Sequence, residues 1–206
     1  MTPLGVLVTP HHEVQVSKEL RSVLPKNVTI RLVQLTQMAL DGEQVVVYET
    51  GNQFEPHSHV AVVKSGQRTA DFALTRLFQR DGVGESYELF NASQFLSVDN
   101  KNVFIAAFRN IGDGAGTLFV LLTERAGRYE VAWREGTNQG RFKVLRSGKI
   151  QVWDADGQAQ CVWCAQQYNV TTFEWKDGGL SRINRFKTKH AFDPGPISDR
   201  PIVIEK

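Results

Sequence analysis

The sequence predicts an all-β protein built as an antiparallel meander. In its second half, three segments each join two runs of strand-favouring residues through a short turn that carries glycine. Glycine adopts positive φ without a Cβ clash, as tight hairpin turns require. The predicted hairpins span residues 118–133, 142–153 and 171–186. Successive short strands of this kind favour a layered all-β fold and argue against alternation of strands with long helices.

The first half of the chain carries similar strand signals after one helical segment. An amphipathic pattern from Val14 to Leu24, stopped by Pro25, predicts a short N-terminal helix of about three turns. The segment 69–78 fits both a helical stripe and a strand face, and the turn before it favours a strand. Further strands are predicted at 28–33, 45–48, 60–63, 95–98 and 103–108.

Length and composition indicate an ordinary globular protein. The chain has 206 residues, enough to bury one sizeable core, with 41% hydrophobic and 22% charged residues. A formal charge of +2 gives no electrostatic basis for nucleic-acid binding. No run of ~18 apolar residues occurs, so no membrane span is expected. We expect a single all-β domain over residues 1–206, with an extended C-terminal tail over about 193–206.

A loose internal repeat bears on the architecture. An acidic turn, an apolar strand, a glycine-rich loop and another strand recur, and a period of ~40–50 residues suits propeller blades of four strands. Through residues 98–105, the glycine loop at 112–116 and the segment 168–179, the chain resembles bacterial exported proteins with FG-GAP or VCBS-type repeats. A β-sandwich is the alternative architecture.

The resemblance implies a propeller or part of one in an extracytoplasmic protein, periplasmic or secreted. It also implies a non-catalytic binding or scaffolding module whose loops contact protein or glycan. In that family, acidic loops bind calcium, whereas Lys101 in the corresponding turn of this chain would repel a cation. The nearest match is Asp154 and Asp156 before Gly157, although turn chemistry accounts for this pattern as well. No cofactor is expected, and calcium is the less favoured alternative.

Cys161 and Cys164 are the two cysteines of the chain. In a regular strand, residues three apart point to opposite faces and lie ~10 Å apart, so a disulfide would require a tight turn or a bulge. A local disulfide formed in an oxidising compartment is the favoured interpretation. Reduced structural thiols and metal or redox chemistry are the alternatives.

His57 and His59 would lie on one face of a strand, where two imidazoles could chelate a metal ion. No residue nearby in the sequence completes a ligand set, and exposed strand histidines are the simpler interpretation. A metal-dependent redox protein would need these histidines to meet Cys161 and Cys164 in space. In the basic stretch 182–190, a solvated strand face or a lysine-protected sheet edge is favoured over a polyanion site.

Aromatic residues supply the main candidates for ligand binding. They could form a platform for glycan or peptide, or they could pack in the core and close the hairpins. The competing class of function is a hydrolase that uses loop carboxylates, and a clustered pair in a cleft would favour it. The aromatic candidates are Trp133, Trp153, Trp163 and Trp175, and the carboxylates are Asp113, Asp154 and Asp156.

Overall fold

The computed structural model describes residues 4–7, 13–35, 43–52, 55–78, 87–96, 102–111, 116–157 and 164–192. These residues form an all-β protein, as predicted, with two short helices. Over the same residues, no helix has the length and apolar character needed to cross a membrane. In chain order the elements are β1 (Leu4–Leu7), α1 (Lys18–Val23), β2 (Thr29–Leu35), β3 (Gln44–Asn52), β4 (Glu55–Lys64), β5 (Gln67–Ala73), α2 (Leu74–Leu77), β6 (Tyr87–Leu96), β7 (Asn102–Asn110), β8 (Gly116–Arg125), β9 (Arg128–Asn138), β10 (Arg141–Val144), β11 (Ile150–Ala155), β12 (Tyr168–Lys176) and β13 (Gly179–Lys187).

The strands form three antiparallel sheets, each a meander in which consecutive strands pair. The N-terminal sheet has the order β2-β3-β4-β5, the central sheet β1-β6-β7-β8-β9, and the C-terminal sheet β10-β11-β12-β13. Only β1 leaves chain order, since it joins the edge of β6 with Leu4 opposite Gln94. The three hairpins predicted from turn chemistry are confirmed as β8–β9, β10–β11 and β12–β13.

The central sheet is buried on both faces. Phe104, Ala106 and Phe108 of β7 pack against the N-terminal sheet, and the alternate residues Val103 and Ile105 pack against the C-terminal sheet. The sequences of β7 and β8 are nearly unbroken runs of apolar residues, because neither face of these strands meets water. The sheets are therefore stacked face to face, as blades are in part of a propeller.

The N-terminal helix covers the outer face of the N-terminal sheet, where Leu20 packs against Tyr48 and Ala61. It is shorter than predicted, with six residues from Lys18 to Val23. The Ser17 side chain accepts a hydrogen bond from the backbone N–H of Leu20 at 3.2 Å and so fixes the start of the helix. Val14 lies before it in extended backbone and donates its N–H to the carbonyl of Ile30 at 2.8 Å.

Two other segments differ from the sequence-based expectation. The ambiguous stretch 69–78 contains both structures, because β5 ends at Ala73 and α2 follows at Leu74. Strand β6 begins at Tyr87, well before the predicted start at residue 95. Its polar residues Ser93 and Gln94 are buried in the sheet, so the run lacks the apolar pattern by which strands are recognised.

Candidate functional site

A polar groove of about 440 Å³ lies between β9 of the central sheet and strands β11 to β13 of the C-terminal sheet. Glu135 forms one wall, and Arg182 and Arg185 of the edge strand β13 form the other. These three residues are exposed, whereas Asp154 and Asn169 lie deeper and half-buried. The groove brings groups of both charges together with neutral hydrogen-bonding side chains.

The groove forms where the apolar contact between the two sheets ends. On β9, alternation places Trp133, Glu135 and Thr137 on the face towards the C-terminal sheet. Trp133 belongs to the apolar cluster between the sheets, and its ring centroid lies 5.4 Å from that of Phe173. The same change from apolar to polar follows β11, from Val152 to Asp154. Each strand thus supplies core residues and then groove residues from one face.

The surroundings of Glu135 alter its ionisation. Partial burial raises the pKa of Glu135, the negative charge of Asp154 raises it further, and the positive charge of Arg185 acts in the opposite direction. The Oδ1 atom of Asp154 accepts a hydrogen bond from the backbone N–H of Asn138 at 2.9 Å. Asp154 therefore links β11 to the end of β9 and also presents negative charge to the groove.

A second cavity of about 340 Å³ adjoins the groove and shares Thr137 and Asp154 with it. Tyr87, at the start of β6, and Gly116, at the start of β8, line this cavity. The accessible space therefore continues from the C-terminal sheet along β9 towards the ends of the central strands.

The tryptophans predicted as ligand-binding candidates do not form one surface. Trp175 is buried in the apolar cluster between the central and C-terminal sheets, and Trp133 is half-buried in the same cluster. Trp153 is buried on the opposite face of the C-terminal sheet, with its ring centroid 6.0 Å from that of Tyr168. These three do not share one exposed face, and their burial agrees with the core-packing alternative. Trp163 lies outside the described residues.

The two carboxylates considered for calcium are engaged separately. Asp154 is held by the Asn138 amide, and the Oδ2 atom of Asp156 lies 2.6 Å from Lys187 Nζ. An ion at Asp156 would have to displace this lysine. In the part of the chain that the structure describes, no three residues among His, Cys, Asp and Glu are grouped to hold a metal ion.

The remaining candidates lie far from one another. His57 and His59 are on β4 of the N-terminal sheet, and Cys164 lies shortly before β12 of the C-terminal sheet, with the central sheet between them. Cys161 and Asp113 lie outside the described residues. The described positions therefore give no support to the expectation of a joint cysteine–histidine metal site.

Sequence reasoning missed most of the groove. Glu135, Asn169 and Thr171 belong to no catalytic or ligand-binding motif, and Glu135 meets the other two because the central and C-terminal sheets stack face to face. The alternation in β9, where Glu135 and Thr137 follow Trp133 on one face, is the local signal that could have marked a surface next to the core. No model of a known protein family matches this chain, and no curated protein matches it significantly.

Proposed function

We propose that this protein is a non-catalytic binding module that holds a glycan in the groove between β9 and the C-terminal sheet. The observation that carries the proposal is the convergence of Glu135, Asp154, Asn169 and Arg185 around one groove. Its volume, about 440 Å³, lies within the range usual for small-molecule and cofactor sites.

The composition of the groove suits a sugar better than an apolar ligand. Carboxylate, amide and guanidinium groups provide acceptors and donors for ring hydroxyls. Phe173 and Leu180 add apolar surface at the same place, against which the C–H face of a sugar ring can pack. Scaffolding through protein contacts is the other form of this function, and it would not require the polar groups to converge.

Binding to an array of neutral, amino-sugar and uronic-acid oligosaccharides tests the proposal, with titration calorimetry on the ligands that bind. We expect Arg185→Ala and Asn169→Ala each to weaken binding about tenfold, because each removes hydrogen bonds to the ligand. Arg128→Ala is the matched control, since Arg128 is exposed at the opposite end of β9. Affinity that stays constant in both groove variants would contradict the proposal.

A hydrolase is the second candidate, and the Glu135–Asp154 arrangement favours it. A pair of carboxyl groups, one of them with a raised pKa as at Glu135, is the usual basis for acid catalysis of glycoside hydrolysis. Chromogenic glycosides distinguish the two functions. Turnover by the unaltered protein that Glu135→Gln abolishes would establish the hydrolase, whereas binding without turnover would support the binding module.

We also propose that the protein works outside the cytoplasm, in the periplasm or after secretion, with Cys161 and Cys164 joined by a disulfide. The position of Cys164 in a bend before β12, rather than in a regular strand, and the resemblance to exported FG-GAP or VCBS-type proteins support this. Mass spectrometry after alkylation, with and without prior reduction, tests the bond. Two alkylated cysteines without reduction, in protein isolated from its native compartment, would contradict it.

A further inference from the structure

A hydrogen-bonded cluster lies on the outer face of the N-terminal sheet, away from the groove. His59 of β4 stands opposite Tyr48 of β3, and their rings stack with centroids 4.8 Å apart. The Oδ1 atom of Asp71 lies 3.1 Å from His59 Nδ1. The Oδ2 atom of Asp71 accepts hydrogen bonds from the Tyr48 hydroxyl at 2.6 Å and from Arg68 Nη1 at 2.7 Å.

This network fixes the tautomer of His59. The Tyr48 hydroxyl has one proton and directs it to Asp71, whose carboxylate oxygens can only accept. With the hydroxyl proton engaged in this way, the 3.1 Å contact of His59 Nδ1 with Asp71 Oδ1 and its 3.3 Å contact with the Tyr48 hydroxyl oxygen both assign the proton to Nδ1. In the neutral imidazole this leaves the lone pair on Nε2. Histidines that bind metals commonly have this arrangement, in which the other ring nitrogen donates to a carboxylate.

His57 lies two residues earlier on β4 and so faces the same side of the sheet, with its Cβ roughly 7 Å from that of His59. Its side chain is exposed. Among the described residues, no hydrogen bond or ion pair engages its ring, so the imidazole can turn towards His59. Two imidazole nitrogens at this spacing can reach a single ion.

We propose that His57 and His59 form a two-imidazole site for a divalent transition-metal ion such as Cu²⁺, Ni²⁺ or Zn²⁺, with Asp71 as a positioning residue. Imidazole nitrogen favours these ions over Ca²⁺ or Mg²⁺, which prefer oxygen ligands. Water would complete the coordination shell. Arg68 is the cation of this cluster, and its ion pair with Asp71 offsets its charge. The site does not depend on the function proposed for the groove.

Titration calorimetry with Cu²⁺ and Ni²⁺ tests this site, together with electron paramagnetic resonance of the Cu²⁺ form. We expect His57→Ala and His59→Ala each to weaken binding at least tenfold, and the spectrum to show two coordinating nitrogens. Asp71→Asn should weaken binding roughly 10- to 100-fold, because the amide no longer holds the Nδ1–H tautomer as a carboxylate does. His190→Ala and the double variant His11→Ala/His12→Ala are controls that should leave the affinity unchanged.

Binding that survives His57→Ala and His59→Ala, or that disappears in the His11→Ala/His12→Ala variant, would overturn the proposal. Absence of binding at millimolar metal would overturn it as well. Should Asp71→Asn fail to fold, His57→Ala still decides the question, because that substitution is at an exposed residue. Nitrogen-15 NMR of the unaltered protein gives an independent readout, and a proton on Nε2 of His59 would remove the role of Asp71.

Discussion

Gly140 has no room for a side chain. It lies between β9 and β10, and a Cβ added there would come within 2.8 Å of Thr137 Cβ and 3.0 Å of Phe119 Cε2. Rotation of the Thr137 side chain would move its hydroxyl away but not its Cβ. Any larger residue must therefore displace either β9 or the core ring of Phe119.

We predict that Gly140→Ala lowers the free energy of unfolding by about 1–3 kcal/mol, the usual range for overpacking. Urea denaturation followed by tryptophan fluorescence measures this. Gly179→Ala is the control, because a Cβ at Gly179 has no atom within 4 Å. If the free energy of unfolding fell no further in Gly140→Ala than in the control, this would show that β9 shifts without loss of stability.

Asp71 makes stability depend on pH. Partial burial by itself would raise its pKa, but hydrogen bonds with His59 and Tyr48 and the charge of Arg68 outweigh that effect and lower the pKa below its usual value. A carboxyl group with a lower pKa in the folded state stabilises the fold above its unfolded pKa of about 4. This contribution is lost as the pH falls through the lowered pKa of the folded state.

We therefore expect Asp71→Asn to lower the free energy of unfolding by on the order of 1 kcal/mol at pH 7. Below pH ~4, the stability of this variant should fall less steeply than that of the unaltered protein. Thermal denaturation between pH 2 and pH 7 measures both effects. Asn184→Ala, at an exposed residue that does not titrate, is the control and should leave the pH dependence unchanged. Parallel curves for Asp71→Asn and the unaltered protein would mean that Asp71 is not ionised in this network.

The hairpin turns show how local chemistry determines whole elements. In the turns that join β4 to β5, β8 to β9 and β12 to β13, the two central residues have positive φ, at 49° and 70° for Ser65–Gly66, 50° and 76° for Ala126–Gly127, and 54° and 77° for Asp177–Gly178. This geometry matches the twist of paired strands, and it suits Asn or Asp followed by glycine. Alanine is the least suited of the three first residues, since it has the Cβ that disfavours positive φ but no polar side chain to hydrogen-bond locally.

We predict that Ala126→Asn stabilises the protein by ~0.5–1 kcal/mol, because asparagine tolerates positive φ better than alanine. Ala126→Val should act in the opposite direction, since β-branched residues are strongly disfavoured in this conformation. Urea denaturation of the two variants gives the comparison. If both variants changed stability in the same direction, side-chain contacts rather than backbone conformation would govern this turn.

The elements that the sequence predicted correctly are those with local signals. Glycine turns between apolar runs identified the hairpins, because turn geometry and strand register depend on neighbouring residues. Where tertiary contacts decide the structure, prediction was poorer. The N-terminal helix begins later than predicted because Val14 pairs with Ile30 of β2. The first part of β6 was not predicted because that strand buries Ser93 and Gln94.

The groove forms through the packing of whole sheets, and this is why the sequence did not reveal it. Asp154 was chosen from a turn-like pattern, yet its structural partner is the backbone amide of Asn138 on another sheet. Partial burial beside the C-terminal sheet raises the pKa of Glu135, and the negative charge of Asp154 on that sheet raises it further. These residues meet through the order of the layers, which depends on the faces that the central sheet buries.

Burial of the central sheet on both faces makes the three layers one cooperative unit. Val120 packs towards the N-terminal sheet and Leu121 towards the C-terminal sheet, and both are fully buried. We predict that Leu121→Ala lowers the free energy of unfolding by about 2–5 kcal/mol and that Val120→Ala lowers it somewhat less. Each variant should still unfold in a single transition. Either substitution should therefore lower hydrogen-exchange protection in the outer sheets equally, at Val46 and at Val170.

Calorimetry and amide exchange measured by NMR check this prediction. Replacement of the exposed Ile183 by alanine is the control and should leave protection in both outer sheets nearly unchanged. Two separate heat-absorption peaks would show that the sheets unfold independently, and so would loss of protection on only one side of the central sheet. In that case the groove, which is lined by the central and C-terminal sheets together, would be lost when either of these two sheets unfolded.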